Sequence, residues 1–258
     1  MAVVDILGYK ISANGLRGDI DEAWRLLESG SKGCYVACAN PHSLVVANED
    51  ECFMKALKEA DMLLPDGAGI VLASKLLKCG LHERVAGFEF FTGFTQRTKT
   101  NSQLRYFFLG STEYVLERIV ERIRLAEPQV YVCGSYSPPY KEEFSDDDVN
   151  CMIEAINAAK PDVLWVGMTA PKQEKWIYAH KDRVDVRMIG AIGAVFDFYA
   201  GTRKRAPAWV CRLGLEWLPR LVREPRRLFR RNFISTPLFL GMLFKERLRQ
   251  VLPRDREI

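Results

Sequence analysis

The residue best suited to chemistry in this sequence is an aspartate that comes directly after an apolar run. Asp66 stands between Pro65 and Gly67, just beyond the run Met62–Leu64. A carboxylate at the edge of a cleft can take a proton from a hydroxyl group, so Asp66 is the best candidate for a general base. The alternative is a helix N-cap or an Asx turn, because aspartate also favours positions that open helices.

A second polar cluster lies in the segment Trp165–Trp176, which reads WVGMTAPKQEKW. Its apolar run ends at Val166, Gly167 permits a sharp turn, and Pro171 suits the first turn of a helix. Lys172–Glu174 then lie at a helix N-terminus, where unpaired N–H groups attract phosphate or sugar oxygens. Open α/β sheets bind ligands at such turns, although every β-α unit contains one.

Polar or glycine-rich turns follow the other apolar runs as well, at Asn40, Asp66, Gly110, Gly134 and Gly190. The carboxyl ends of parallel strands meet at one edge of a sheet, so these turns should converge on one cleft. Turns also need glycine and aspartate for backbone reasons, so their coincidence carries more weight than any one of them. Asp197, in the apolar run AVFDFYAG, adds a carboxylate for which a ligand hydroxyl would be a suitable partner.

Carboxylates also form two Asp-x-Asp pairs, Asp19–Asp21 and Asp146–Asp148, a pattern that can hold a divalent ion. Both pairs read as openings of helices, where the helix dipole favours aspartate, so we expect no metal site. The three histidines share no ligand spacing, and we expect no cofactor. The sequence has neither a Walker loop nor a G-x-G-x-x-G fingerprint, which argues against an ATPase or an ordinary dehydrogenase.

The elements that must position these residues follow from an alternation of apolar runs with amphipathic patterns. Short apolar runs predict six strands, at 34–38, 62–64, 106–109, 130–133, 163–166 and 186–189. Helical patterns separate them, at 19–29, 41–60, 69–79, 88–98, 112–125, 145–159 and 172–181. This order predicts an α/β fold, with a mostly parallel sheet covered by helices on both faces.

Charge divides the chain near residue 201. Residues 1–200 carry 22 Lys+Arg and 28 Asp+Glu, whereas residues 201–258 carry 15 and 5. Strand patterns also stop there, and prolines punctuate short helical patterns rich in Arg, Leu, Trp and Phe. We therefore predict a catalytic domain over 1–201 and a basic, helical, membrane-associating appendage over 202–258.

The appendage indicates an anionic membrane surface as a partner, since basic side chains meet headgroups while apolar ones dip below them. The Phe and Leu content of 233–244 suits lipid better than bases, so we expect no nucleic acid partner. The alternative is a set of helices that pack on the body and expose solvated arginines.

Scattered cysteines indicate reduced thiols, because none of the seven forms a C-x-x-C pair. The start MAVVDILGYKI has no signal-peptide pattern, and no stretch reaches the roughly 18 apolar residues of a membrane span. We expect a cytoplasmic protein that associates peripherally with the inner face of the plasma membrane.

Longer stretches of the chain resemble the WecG/TagA/CpsF glycosyltransferases. The resemblance covers about Gly33 to Thr236 and rests on LLPDGAGIVLASKLL, ERVAGFEFF, GSYSPPY, INAAKPDVLWVGMTAPKQEKWI, GAIGAVFDFYAGTRKRAPAWV and GLEWLPRLVREPRRLFRR. It implies a Rossmann-like body of the GT-E type with a C-terminal appendage. It also implies a metal-independent, inverting transfer from a UDP-sugar to a polyprenyl-diphosphate-linked saccharide, for a cell-surface polysaccharide, capsule or teichoic acid.

The resemblance also implies roles for single residues. Asp66 matches the proposed general base of the family. Asn40 and Gln173 match residues that line its sugar pocket, and Arg84 matches an arginine of that pocket. The turns at the sheet edge and the aspartate in AVFDFYAG add further candidates for the donor site, Gly110, Gly134 and Asp197. The matches to the arginines thought to close over the site and meet the donor diphosphate are Arg220, Arg227 and Arg230.

Cys38 departs from the family pattern, because the teichoic-acid branch has a threonine there, near the sugar. A thiol is a weaker hydrogen-bond partner than a hydroxyl. N-acetylmannosamine is therefore one candidate sugar beside other N-acetylhexosamines, hexoses and uronates.

Two other function classes stay open. One is a nucleotide-dependent oxidoreductase that uses the same cleft without the dinucleotide fingerprint. The other is a non-enzymatic, nucleotide-sensing membrane adaptor, which would tolerate loss of Asp66. Release of UDP in the presence of a lipid-linked acceptor discriminates among the three, and whether the chain forms a homo-oligomer stays open.

Overall fold

A six-stranded parallel sheet lies at the centre of the protein in a computed structural model. The structure describes residues 1–101, 104–128, 130–204, 206–207, 210, 221, 229 and 233–251. The strands of the sheet are β3 (Cys34–Ala39), β4 (Met62–Pro65), β5 (Arg105–Leu109), β6 (Tyr131–Tyr136), β7 (Val163–Val166) and β8 (Met188–Ala191). Their order is β4-β3-β8-β7-β5-β6, so the chain crosses over between β3 and β8. All six strands that the apolar runs predict are present.

Helices cover both faces of this sheet, which confirms the predicted α/β fold class. They are α1 (Gly15–Glu28), α2 (Pro41–Glu49), α3 (Glu51–Lys58), α4 (Ala68–Leu77), α5 (Gly87–Asn101), α6 (Glu113–Ala126), α7 (Asp146–Ala159), α8 (Lys172–His180), a 3-10 turn (Lys181–Arg183), α9 (Val195–Ala200) and α10 (Ser235–Val251). The region 41–60, predicted as one helix, is two. Asp50 separates them, because its side chain accepts from the Phe53 N–H and caps α3.

The hydrophobic core has two layers, one on each face of the sheet. Helices α2, α3, α4, α7, α8 and α10 bury one layer, and helices α1, α5, α6 and α9 bury the other. Trp165 of β7 belongs to the second layer and is fully buried. A Cβ atom on its neighbour Gly190 would lie 2.3 Å from the Trp165 ring, so only glycine leaves room for this indole.

An N-terminal hairpin, β1 (Val3–Ile6) and β2 (Tyr9–Ser12), is present in addition to the predicted strands. Its turn uses Leu7 and Gly8, both with positive φ, and the Asp5 side chain accepts from the Gly8 N–H. A leucine in the left-handed region is uncommon, and the turn lacks the Asn-Gly or Asp-Gly pair that usually signals a hairpin.

The two Asp-x-Asp pairs differ in where they lie relative to the start of a helix. Asp146–Asp148 opens α7 as predicted, with Asp148 in a capping box with Ser145. The same prediction is wrong for Asp19, because α1 begins four residues earlier at Gly15. Asp19 is instead fully buried and accepts hydrogen bonds from Ser12 and Asn14.

Helix α10 packs on the body through its own apolar residues. Phe239 and Leu243 are buried among residues of the first core layer, against α2 and α4. His42 and Ser235 are joined by a hydrogen bond of 2.8 Å at the start of this contact. In the described ranges, no helix has the length and apolar content that crossing a bilayer requires.

Candidate functional site

The site begins at the carboxyl ends of β3 and β4, where the hydrogen bonds between the two strands include the first residue after β4. The Asp66 N–H donates to the Ala39 carbonyl at 2.8 Å, and the strand register pairs Ala39 with Pro65. This bond continues the parallel pairing and fixes the Asp66 backbone at the edge of the sheet. The Asp66 side chain is partly exposed there.

Asp66 is not the N-cap residue of the helix that follows it. The N-cap of α4 is Gly67, with φ +107°, and no side-chain cap bond is formed there. The N-cap alternative for Asp66 is therefore wrong. A Cβ atom on Gly69 would lie 2.4 Å from the Pro41 ring, so glycine lets the openings of α4 and α2 meet. That close approach brings Asn40 beside the Asp66–Gly67 turn.

Asn40 is the N-cap of α2 and forms a capping box with Ser43. Its Oδ1 accepts from the Ser43 N–H at 3.0 Å, while its own backbone N–H donates to Ser43 Oγ at 2.8 Å. The carbonyl end of the Asn40 side chain is thus committed to the helix. Its NH2 group is the part that Asn40 can offer to a ligand.

Arg84 reaches the same region from the loop between α4 and α5. The adjacent Val85 N–H donates to the Pro65 carbonyl at 3.0 Å, which ties this loop to the end of β4. The Arg84 side chain is 19% exposed, and its guanidinium lies 3.9 Å from a Glu89 oxygen. The structure thus brings Arg84 to the strand end that carries Asp66.

Cys38 lies in β3, two residues before Asn40, and is partly exposed. Burial raises the pKa of the Cys38 thiol well above its ordinary value, and the charges of Asp66 and Glu174 raise it further. The group is therefore a neutral thiol and a weak hydrogen-bond donor, without the thiolate that nucleophilic catalysis needs. A Cβ atom on Gly87 would lie 3.4 Å from its sulfur, so the start of α5 closes over it.

Gln173 and Glu174 lie in the first turn of α8 and point into the protein, 4% and 2% exposed. Gln173 Nε2 donates to Glu174 Oε1 at 2.8 Å. Burial raises the pKa of Glu174 to about 7, against the opposing effect of the Gln173 hydrogen bond. Burial raises the pKa of the Tyr35 hydroxyl well above its ordinary value, and the nearby acidic groups of Glu174 and Cys38 raise it further. These three groups are therefore close together.

The lysines of the same helix face elsewhere. Lys172 donates to the Lys141 carbonyl, with its ammonium 3.6 Å from the centre of the Phe144 ring. Lys175 forms an ion pair with Asp50 at 2.6 Å. Of the polar residues predicted at this helix start, Gln173 and Glu174 are therefore the two that turn inward.

Gly110 follows β5 as predicted, in a turn that only glycine permits. Its φ is +110°, and a Cβ atom would lie 2.9 Å from the Gly167 carbonyl. The ends of β5 and β7 can therefore approach each other closely. Gly134 is different: it lies inside β6 instead of in the turn after it, and a Cβ atom there would lie 2.7 Å from the Phe107 ring. The predicted turn at Gly134 is wrong, and packing against Phe107 explains the glycine.

Asp197 has partners within the chain and is not an isolated buried carboxylate. It lies in α9 with a partly exposed side chain, 3.4 Å from the Arg203 guanidinium. Thr202 donates to the Asp197 carbonyl at 3.1 Å. The premise of a buried carboxylate without partners is therefore wrong, whereas a contact between Asp197 and a donor hydroxyl stays a prediction.

The predicted appendage arginines Arg220, Arg227 and Arg230 lie outside the described residues. Within the described ranges, no group of three or more His, Cys, Asp or Glu side chains could hold a metal ion. Sequence reasoning missed the burial of Glu174. The spacing contained a signal, because Glu174 lies three residues before the apolar Ile177 and so shares its helix face.

Known proteins resemble this chain over most of its length. The model of the family described as Glycosyl transferase WecG/TagA/CpsF matches residues 4–252. A Bacillus spizizenii protein named N-acetylglucosaminyldiphosphoundecaprenol N-acetyl-beta-D-mannosaminyltransferase is 30% identical over 215 residues, 83% of this chain and 80% of the relative. A Staphylococcus aureus protein of the same name is 28% identical over 245 residues, 95% of this chain and 93% of the relative. The chain therefore belongs to the WecG/TagA/CpsF family of glycosyltransferases.

Proposed function

We propose that this glycosyltransferase moves a sugar from a UDP-sugar to a polyprenyl-diphosphate-linked saccharide during synthesis of a cell-surface polymer. The names of the relatives describe sugar transfer to N-acetylglucosaminyldiphosphoundecaprenol, which supports the acceptor class. The observation that carries the proposal is the position of Asp66. Its backbone is tied to the end of β3, its side chain is partly exposed, and Cys38, Asn40 and Arg84 lie around it.

Asp66 is the general base of the proposed reaction. As the acceptor hydroxyl oxygen attacks the anomeric carbon, its proton passes to the Asp66 carboxylate. The bond from the anomeric carbon to the diphosphate oxygen breaks, and its electron pair leaves with UDP. Attack from the face opposite the leaving group inverts the anomeric centre.

Residues around Asp66 orient the donor sugar. The Asn40 NH2 group and the Arg84 guanidinium are donors for sugar oxygens, and the buried Gln173 amide offers a further polar group. The neutral Cys38 thiol contributes a weak donor where a hydroxyl would contribute a stronger one. The residue at position 38 therefore influences which sugar is transferred.

Negative charge that develops on the departing UDP needs stabilisation. In a metal-independent reaction, arginines and helix N-terminal N–H groups supply it. We assign this role to Arg220, Arg227 and Arg230, with Gly110 and Asp197 completing the donor site. We assign Gly134 no contact with the donor, because packing against Phe107 inside β6 explains the glycine.

The appendage brings the body to a lipid-linked acceptor at an anionic membrane surface. Residues 202–258 carry the positive excess of the chain. Helix α10 buries one apolar side on the body, yet Leu240 and Phe244 are 43% and 67% exposed. Exposed apolar side chains beside basic ones suit the interface of an anionic membrane.

The proposal is tested by whether UDP release requires both substrates. The purified full chain should release UDP from a UDP-sugar only when a short-chain prenyl-diphosphate saccharide is present, and the product should carry the added sugar with inverted anomeric configuration. A screen of UDP-N-acetylhexosamines, UDP-hexoses and UDP-uronates identifies the donor. Binding of UDP-sugars without turnover would favour the sensing adaptor, and reduction of a nicotinamide would favour the oxidoreductase.

A further inference from the structure

Two buried, neighbouring polar side chains, Gln173 and Glu174, form a hydrogen-bonded pair at the start of α8. Gln173 Nε2 lies 2.8 Å from Glu174 Oε1. Nε2 is the donor of this hydrogen bond and Oε1 is its acceptor, so the NH2 end of the Gln173 amide faces Glu174. The Gln173 carbonyl oxygen is directed away from Glu174 as a result.

That carbonyl oxygen is buried and accepts no hydrogen bond within the described part of the chain. The amide lies against the turn after β8, where a Cβ atom on Gly193 would be 3.3 Å from Gln173 Oε1. This turn is at the carboxyl edge of the sheet, as are Asp66 and Asn40. A buried acceptor without a donor is costly, which points to a donor that arrives with a ligand.

Burial of the Glu174 carboxyl group is unfavourable for the stability of the fold. Burial and hydrogen bonds to Gln173 and to its own backbone act on its carboxyl group, and none of these influences comes from a cation in the described part of the chain. Its second oxygen, Oε2, has no hydrogen-bond partner among the described residues. Burial of a carboxyl group without a cation destabilises a fold, and such groups concentrate at functional sites.

We infer, on the basis of the proposed function, that Glu174 is a positioning residue for donor recognition. Its Oε1 holds the Gln173 amide in one orientation, so that the Gln173 carbonyl oxygen accepts a hydrogen bond from an N–H or O–H group of the donor sugar. Without this constraint, the amide can rotate by half a turn and present its NH2 group, which cannot accept.

The positioning itself can be tested without any substrate. In ¹⁵N-labelled protein, the Gln173 side-chain amide signal is assigned by its loss in Gln173→Ala. We expect slowed hydrogen exchange at this NH2 group in the wild type and in Glu174→Gln, whose amide oxygen can still accept. Glu174→Met, similar in volume but without an acceptor, should lose that protection. Equal protection in Glu174→Met would overturn the inference whatever the activity of the chain.

The functional consequence is tested by a double-mutant cycle on donor kinetics. Glu174→Met should lower kcat/KM for the donor about tenfold, the order expected for one lost hydrogen bond, and Glu174→Gln should restore most of it. In a Gln173→Ala background the same change should cost almost nothing, because Glu174 acts through Gln173. A loss of equal size in both backgrounds would overturn the inference. A wild type that transfers no sugar would contradict the proposed function instead, and the exchange measurement would still decide the positioning.

Discussion

The Asp66 N–H and the Ala39 carbonyl are joined by a 2.8 Å hydrogen bond that extends the β3–β4 ladder beyond the last residue of β4. The backbone of the candidate base is therefore fixed by the sheet, whereas its carboxylate stays partly exposed at the edge. A change confined to the carboxylate should leave the backbone bond in place.

We expect Asp66→Asn to keep the fold and the affinity for the UDP-sugar while lowering kcat about 10²- to 10⁴-fold, the usual cost of losing a general base. Circular dichroism and donor titration check the first two properties, and UDP release checks the third. Asp182→Asn, an exposed aspartate in the 3-10 turn after α8, is the matched control. Rates for Asp66→Asn equal to those of this control would refute the base assignment.

We expect the residue at position 38 to shift donor preference. Cys38→Thr supplies a hydroxyl in place of a neutral thiol, and a better hydrogen bond is worth about 0.5–1.5 kcal/mol, or roughly 2- to 10-fold. The ratio of kcat/KM for UDP-N-acetylmannosamine to that for other UDP-sugars should rise by this factor. Cys52→Thr, at an exposed cysteine, should leave the ratio unchanged. An unchanged ratio in Cys38→Thr would show that position 38 does not contact the sugar.

We expect Glu174 to make the folded state less stable as pH rises. Its pKa is raised from 4.5 to about 7 by burial, so the folded protein binds a proton that the unfolded chain releases. The contribution of Glu174 to the free energy of unfolding is most favourable below about pH 4.5 and decreases between pH 4.5 and 7. Above pH 7 the ionised group lowers the free energy of unfolding by about 3 kcal/mol relative to low pH. The free energy of unfolding of the wild type minus that of Glu174→Gln should fall by this amount between pH 4.5 and 8. A difference that is flat with pH would mean that Glu174 titrates normally.

We expect transfer activity to persist in excess EDTA. Asp148 is engaged by Ser145 and Lys141, and Asp19 by Ser12 and Asn14, so both Asp-x-Asp pairs already serve structural roles. Activity should be measured in EDTA and again after Mg²⁺ or Mn²⁺ is added. A reversible loss on chelation, restored by either ion, would reveal a metal site and contradict this expectation.

We expect helix α10 to contribute to membrane binding through its exposed apolar residues. Phe244→Glu should weaken binding to anionic vesicles about tenfold, because it removes apolar burial and adds a repelled charge. Leu125→Glu, at a residue 79% exposed on α6, is the matched control and should bind like the wild type. Added salt should weaken binding of both the wild type and the control. Equal binding by Phe244→Glu and the wild type would exclude this face of α10 from the membrane contact.

Much of the fold follows from the sequence because its patterns are local. Apolar runs such as Val163–Val166 are long enough for strands and too short for helices, and the amphipathic segments between them have helical periodicity. The hairpin turn at Leu7 and Gly8 escapes such reasoning, because tertiary packing stabilises a backbone conformation that leucine disfavours by itself. The division at Asp50 also depended on one side chain that caps a new helix.

The sequence by itself determined the parallel sheet, the edge that carries the turns, and Asp66 as the leading carboxylate at that edge. The tertiary structure decided which polar residues face inward: Glu174 is buried beside Gln173, whereas Asp197 is satisfied by Arg203. In the tertiary structure Gly134 lies in a strand and not in the predicted turn, and packing against Phe107 excludes a side chain there. The physical reason is that burial and pairing depend on contacts between residues distant in sequence, which periodicity and composition do not encode.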